Sequence, residues 1–168
     1  LVQKDNNSGV NVEILTPENI TTITEQQYTN AAITAGVEDV NIEVASIRPV
    51  TGESALTGVY KALDVNGEEL DQERMEVAQE ELETTSDIVV NENLDEEESS
   101  RLDGVIVEIK QQLGDIKDRT DELATREEIE QIINDALDRY DLRNVISVEN
   151  VNILINYFEN YQQTSAID

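Results

Sequence analysis

With neither histidine nor cysteine among its 168 residues, this chain can do chemistry only through carboxylates, lysine, tyrosine and serine. No imidazole means no Ser-His-Asp or Cys-His machinery, no His-ligated metal and no ordinary general base near neutrality. No thiol means no disulfide framework, no thiolate nucleophile and no zinc site of the cysteine type.

Ser54 lies in Gly52-Glu53-Ser54-Ala55-Leu56-Thr57-Gly58, which follows a strand pattern and opens a helix, the geometry that seats a phosphate on backbone N–H groups. A P-loop requires Lys and then Ser or Thr directly after its last glycine. Val59 and Tyr60 stand there, and Glu53 repels an anion, so helix capping is the better use of the segment. Ser54 is also half of a nucleophile elbow, but Leu56 replaces the closing glycine. A Ser-Lys pair with Lys61 would have to bridge two helical turns, about 10 Å along the axis.

Oxygen ligands point instead to hard cations. Asp64-Val65-Asn66-Gly67-Glu68 starts like a calcium loop, with Asp64, Asn66 and Glu68 at the first, third and fifth positions. Glu69 then replaces the glycine of the sixth position and Met75 the carboxylate of the twelfth. The run Glu92, Asp95, Glu96, Glu97 and Glu98 offers a second set of oxygens for calcium or magnesium. Its simpler role is a solvated linker whose charge favours the positive end of the next helix. No cofactor is expected beyond such a calcium ion. A carboxylate pair for glycoside hydrolysis cannot be picked out, because its spacing of roughly 5 to 9 Å is not a property of sequence.

The 38 acidic and 11 basic residues give a net charge of -27, a field that repels nucleic acid and anionic lipid and attracts basic proteins and divalent cations. No stretch approaches the roughly 18 consecutive apolar residues of a membrane helix. A protein partner is therefore expected, with no nucleic acid and no membrane span. The chain begins at Leu1 without Met and shows no signal peptide, which fits a processed form or a fragment.

The elements that must position these groups follow from patterning. Residues 1–9 are polar and aperiodic and are expected to be a disordered tail. Val10, Val12 and Ile14 alternate with polar residues as a half-buried strand, which Pro17 interrupts or ends, with continuation through Ile20 and Ile23 left open. Thr24 with Gln27 forms a capping box and Ile23 with Tyr28 a hydrophobic staple, opening a helix that Gly36 stops. Val40, Ile42 and Val44 make a second strand running toward Ile47, and Ala55 to Leu63 a helix that ends near Asn66-Gly67. Residues 10–66 thus read as a small βαβα unit with parallel strands as the default.

A helix is expected over 67–90, an acidic linker over 91–100, a helical bundle over 101–162 and a tail over 163–168. Within the bundle, Leu102, Ile106, Ile109, Leu113 and Ile116 form a short heptad seam despite Gly104 and Gly114, and leave self-association through helices open. Thr125 with Glu128 caps a second helix. Ser147 caps a third, whose stripe is Val148, Val151, Leu154, Ile155, Phe158 and Tyr161. The fold class is α+β, mostly helical.

Three segments carry a family resemblance: Gln27-Tyr28-Thr29-Asn30-Ala31-Ala32-Ile33-Thr34-Ala35-Gly36, Val50 to Ala62 around Thr51-Gly52-Glu53-Ser54-Ala55-Leu56-Thr57-Gly58, and Val77-Ala78-Gln79-Glu80-Glu81-Leu82. Together with Glu122-Leu123-Ala124-Thr125 and the closing Tyr161 to Asp168, they resemble the YpuA-like family of exported proteins from Gram-positive bacteria. The resemblance implies a precursor with a signal peptide and a further N-terminal portion, and an extracellular or cell-envelope location. That family has no known function, so no site residue carries over. The expectation is a non-catalytic protein-interaction role. The alternatives are divalent-cation binding, or a hydrolase using carboxylates or the Ser-Lys pair.

Overall fold

A computed structural model describes residues 1–5, 7–20, 23–50, 52–65 and 70–168. The chain divides into two compact units, Leu1–Glu83 and Thr84–Asp168. The expected change at residue 66 is therefore not where it divides. The α3 helix (Gln72–Asn91) begins in the first unit, where Ala78 and Leu82 are wholly buried in that unit's core.

In the first unit, β1 (Val2–Lys4), β2 (Val10–Ile14) and β3 (Val40–Val44) form a sheet of order β1-β3-β2. β2 and β3 pair in parallel, from Val10 with Val40 to Ile14 with Val44, with α1 (Glu25–Thr34) between them in the chain. The expected βα unit is thus observed. The expected tail is not one: Val2 pairs antiparallel with Ile42 and is buried, because three extended residues suffice to complete a ladder on the far edge of β3. β3 also stops short of Ile47, which is 94% exposed. Ile20 makes an isolated parallel bridge to Val50.

Alternation places Val40, Ile42 and Val44 inside and Asn41 and Glu43 outside. Tyr28, Ala31, Ala32 and Ala35 of α1 and Leu56, Val59 and Leu63 of α2 (Gly52–Val65) join them in one core. The Thr24–Gln27 capping box forms in both directions, the Gln27 N–H donating to Thr24 Oγ1 at 3.0 Å and the Thr24 N–H to Gln27 Oε1 at 2.9 Å. Gly36 ends the helix at a φ of +86°, where a side chain would be strained. Arg74 then donates to the carbonyls of Thr34 and Ile33, the negative end of α1.

In the second unit, α4 (Glu96–Thr120), α5 (Arg126–Arg139) and α6 (Val148–Tyr161) bury the expected stripes, α4 against α5 and α5 against α6. The acidic linker is a correction. Asp95 is the N-cap of α4 and Glu98 completes its capping box, so Glu96, Glu97 and Glu98 form the first helical turn, where the helix dipole favours them. The heptad seam holds through Gly104 because Tyr140 fills the space a Cβ would take there. Val148 departs from its expected stripe and is 78% exposed, while Tyr157 is buried. The closing residues are no tail either: a 3-10 turn at Ser165–Ile167 buries Ala166 and Ile167, and the Tyr161 hydroxyl donates to the Ala166 carbonyl at 2.9 Å.

Candidate functional site

The loops that follow β2 and β3 are tied together. The Ser46 N–H donates to Thr16 Oγ1 and Asn19 Nδ2 donates to the Ser46 carbonyl, both at 2.8 Å. Val50 N–H donates to the Asn19 carbonyl at 3.0 Å. Between the strand ends and α2 lies a cleft of about 520 Å³. Val44 and Val50 line it from the sheet side, and Gly58, Val59 and Ala62 from the helix. Leu15, 50% exposed, stands at its mouth. No atom lies within 4 Å of where a Gly58 Cβ would sit, so this glycine leaves the helix wall open.

Ser54, the sequence candidate, does line this cleft and is exposed on the first turn of α2. Lys61 is exposed on the same helix but is not part of the lining. Glu43 contributes to the lining, yet its side chain projects to the outer face, opposite Ile42 and Val44. The other hydroxyl, that of Ser46, donates to the Arg48 carbonyl at 2.7 Å. Among the described residues, then, no acid or base points into the cleft beside a nucleophile. What it offers is apolar wall and exposed backbone, a surface suited to binding.

The cation candidates are dispersed. Asn66 and Glu68 lie outside the described residues, and Asp64 is exposed near the end of α2. Asp95 and Glu98 are bonded to each other's backbone N–H groups at 2.8 and 3.1 Å, and Glu96 and Glu97 are exposed beside them. Glu92 accepts from the Ser147 N–H at 2.7 Å and from Asn150 Nδ2 at 2.6 Å. Hydrogen bonding by Ser147, from its side chain and its backbone, and by Asn150 holds the Glu92 carboxyl below its ordinary value. Among the described residues no three carboxylates gather as a metal site would require.

A buried charged group of the first unit escaped sequence analysis. Glu81 of α3 is 2% exposed and accepts the Thr34 hydroxyl at 2.6 Å. The Tyr60 hydroxyl is buried and makes no hydrogen bond; burial, and then the Glu81 charge, push its proton affinity up. A glutamate amid Ala78 and Leu82 at helical spacing was the available signal, masked by its acidic neighbours.

The family profile described as "Protein of unknown function (DUF1002)" matches residues 1–168. The chain belongs to the DUF1002 family. It is similar to "Uncharacterized protein YpuA" of Bacillus subtilis (strain 168), with 42% identity over 90 residues, 51% of this chain and 30% of that protein. The match thus spans under a third of that relative's length. Both findings agree with the YpuA-like resemblance seen in the sequence. No solved structure matches the DUF1002 chain.

Proposed function

We propose that this DUF1002 chain is a non-catalytic protein-interaction module acting outside the cell or in the cell envelope, with the cleft beside β3 as its contact surface. The observation that supports contact rather than catalysis is the lining. Val44, Val50, Val59 and Ala62 form apolar walls, Leu15 is exposed at the mouth, and the carboxylate of Glu43 points away. A partner side chain entering there exchanges water for apolar contact, at about 25 cal/mol per Å² buried.

Peptides selected by display against the chain test this directly. Binders enriched in apolar residues should lose affinity for Gly58→Phe, whose ring fills open space while the fold, checked by its thermal melt, persists. Hydrolysis of a peptide, ester or glycoside that Ser54→Ala abolishes would replace binding with catalysis. The envelope location rests on the resemblance to exported proteins. Fractionation of cells that express the full-length protein tests it, and protein confined to the cytosol would overturn it.

A further inference from the structure

We propose that the exposed face of α6 is a self-association surface, on which two copies of the chain pair their α6 helices antiparallel about a two-fold axis at Asn152. The face belongs to the second unit and shares no residue with the cleft of the first, so it goes beyond the function proposed above and is tested independently of it.

The surface of α6 is unlike that of its neighbour. α5 and α6 are equal in length, yet α5 carries seven charged residues and α6 two, with none from Asn150 to Phe158. Glu159, one of the two, is paired with Arg126 of α5. Beside the other, Glu149, the exposed positions are Val148, Asn152, Ile153, Asn156 and Asn160. Asparagine and β-branched residues are weak helix formers, so a solvent-facing strip built from them departs from what the helix alone would select. Such a local conflict marks a surface with a use beyond folding. Nothing in the fold requires Asn152, which is exposed and among the described residues makes no side-chain hydrogen bond.

The strip is complementary to itself. An amide both donates and accepts, so two Asn152 side chains that face each other across a two-fold axis bond reciprocally. Antiparallel pairing about that axis brings Glu149 of one copy level with Ile155 of the other, next to Asn156, whose Oδ1 accepts from Arg126 Nη1 at 3.0 Å. The acid of the strip therefore meets a base, and symmetry repeats the contact at the other end. A basic partner is drawn elsewhere, because the second unit holds 21 acidic and seven basic side chains and this strip offers few of them. One helix face buries less than the roughly 800 Å² per partner of a stable complex, so the pair is transient, with a dissociation constant on the order of 100 µM.

Sedimentation equilibrium of the whole chain, up to about 1 mM protein and at about 50 and about 500 mM NaCl, tests this. Salt screens the repulsion between two copies of net charge -27, so dimerisation should strengthen by about fivefold or more at the higher salt. Asn152→Asp sets two carboxylates against each other on the axis and should weaken the dimer by about tenfold or more, while the thermal melt shows the fold intact. Gln111→Glu makes the same charge change at an exposed position of α4 and should leave the dimer within about twofold of the parent. A dimer that salt weakens would be held by opposite charges, and one on which the two variants act alike would be formed elsewhere; either overturns the proposal. A chain that stays monomeric over the whole range overturns it as well, and leaves the cleft as a contact surface untouched.

Discussion

Glu92 and Ser147, 55 positions apart, meet through a hydrogen bond of 2.7 Å in which the Ser147 N–H donates to the carboxylate. Ser147 is the N-cap of α6, so an acid in the turn after α3 secures the first turn of a distant helix. The folded carboxyl titrates below its ordinary value of about 4.5. Its contribution is therefore present in full above that value and is lost as pH falls through the lowered one. Thermal melts of Glu92→Gln against the parent chain should differ at pH 7, by at most about 1 kcal/mol because water screens so exposed a group, and converge in acid. A gap that persists in strong acid would assign the effect to something other than this charge.

Gly104 sits in the middle of α4 because the Tyr140 ring occupies the space of its missing Cβ. Gly104→Ala should destabilise by about 1–3 kcal/mol through overpacking, although alanine is the better helix former. Urea denaturation reads the loss, and adding Tyr140→Leu should recover most of it.

Gln162 is buried and clasps Ala124 twice, accepting from its N–H at 3.0 Å and donating to its carbonyl at 2.8 Å. Gln162→Ala leaves both backbone groups without their partner, at a cost of about 2 kcal/mol or more. Amide exchange at Ala124 should accelerate in the same variant, and an unchanged rate would mean water replaces the side chain at no cost.

Tyr60→Phe should be neutral or stabilising by up to about 1 kcal/mol, since the hydroxyl it removes is buried, makes no hydrogen bond and lies under the Glu81 charge. Denaturation midpoints decide this. A clear loss of stability would reveal a partner for the hydroxyl.

Local chemistry was legible, as was the parallel pairing of β2 with β3, but the other distant contacts were not. Thr24 with Gln27 and Thr125 with Glu128 announce their helices because a capping box closes over three residues, all visible at once. Asp95 with Glu98 has the same spacing and went unread, since its acidic neighbours resemble a solvated linker. β1 could not be recognised from Val2 to Lys4, whose partner begins some forty residues away. The cleft draws Leu15, Val44 and the α2 pair Gly58 and Ala62 from three separate segments, and no pattern in the chain links those segments. The serine and loop motifs were testable only against geometry, which puts Ser54 in the cleft and Lys61 outside its lining.

The outward pairing of Glu13 with Glu43 bears on how the molecule behaves when crowded. A three-stranded sheet with short outer strands exposes backbone that other copies can extend into a fibril. Stacking a second sheet on this outer face would bring four carboxylates together away from water, a strongly unfavourable arrangement. The repulsion that weakens the native strand pair by a fraction of a kcal/mol thus protects the protein from aggregation at high concentration.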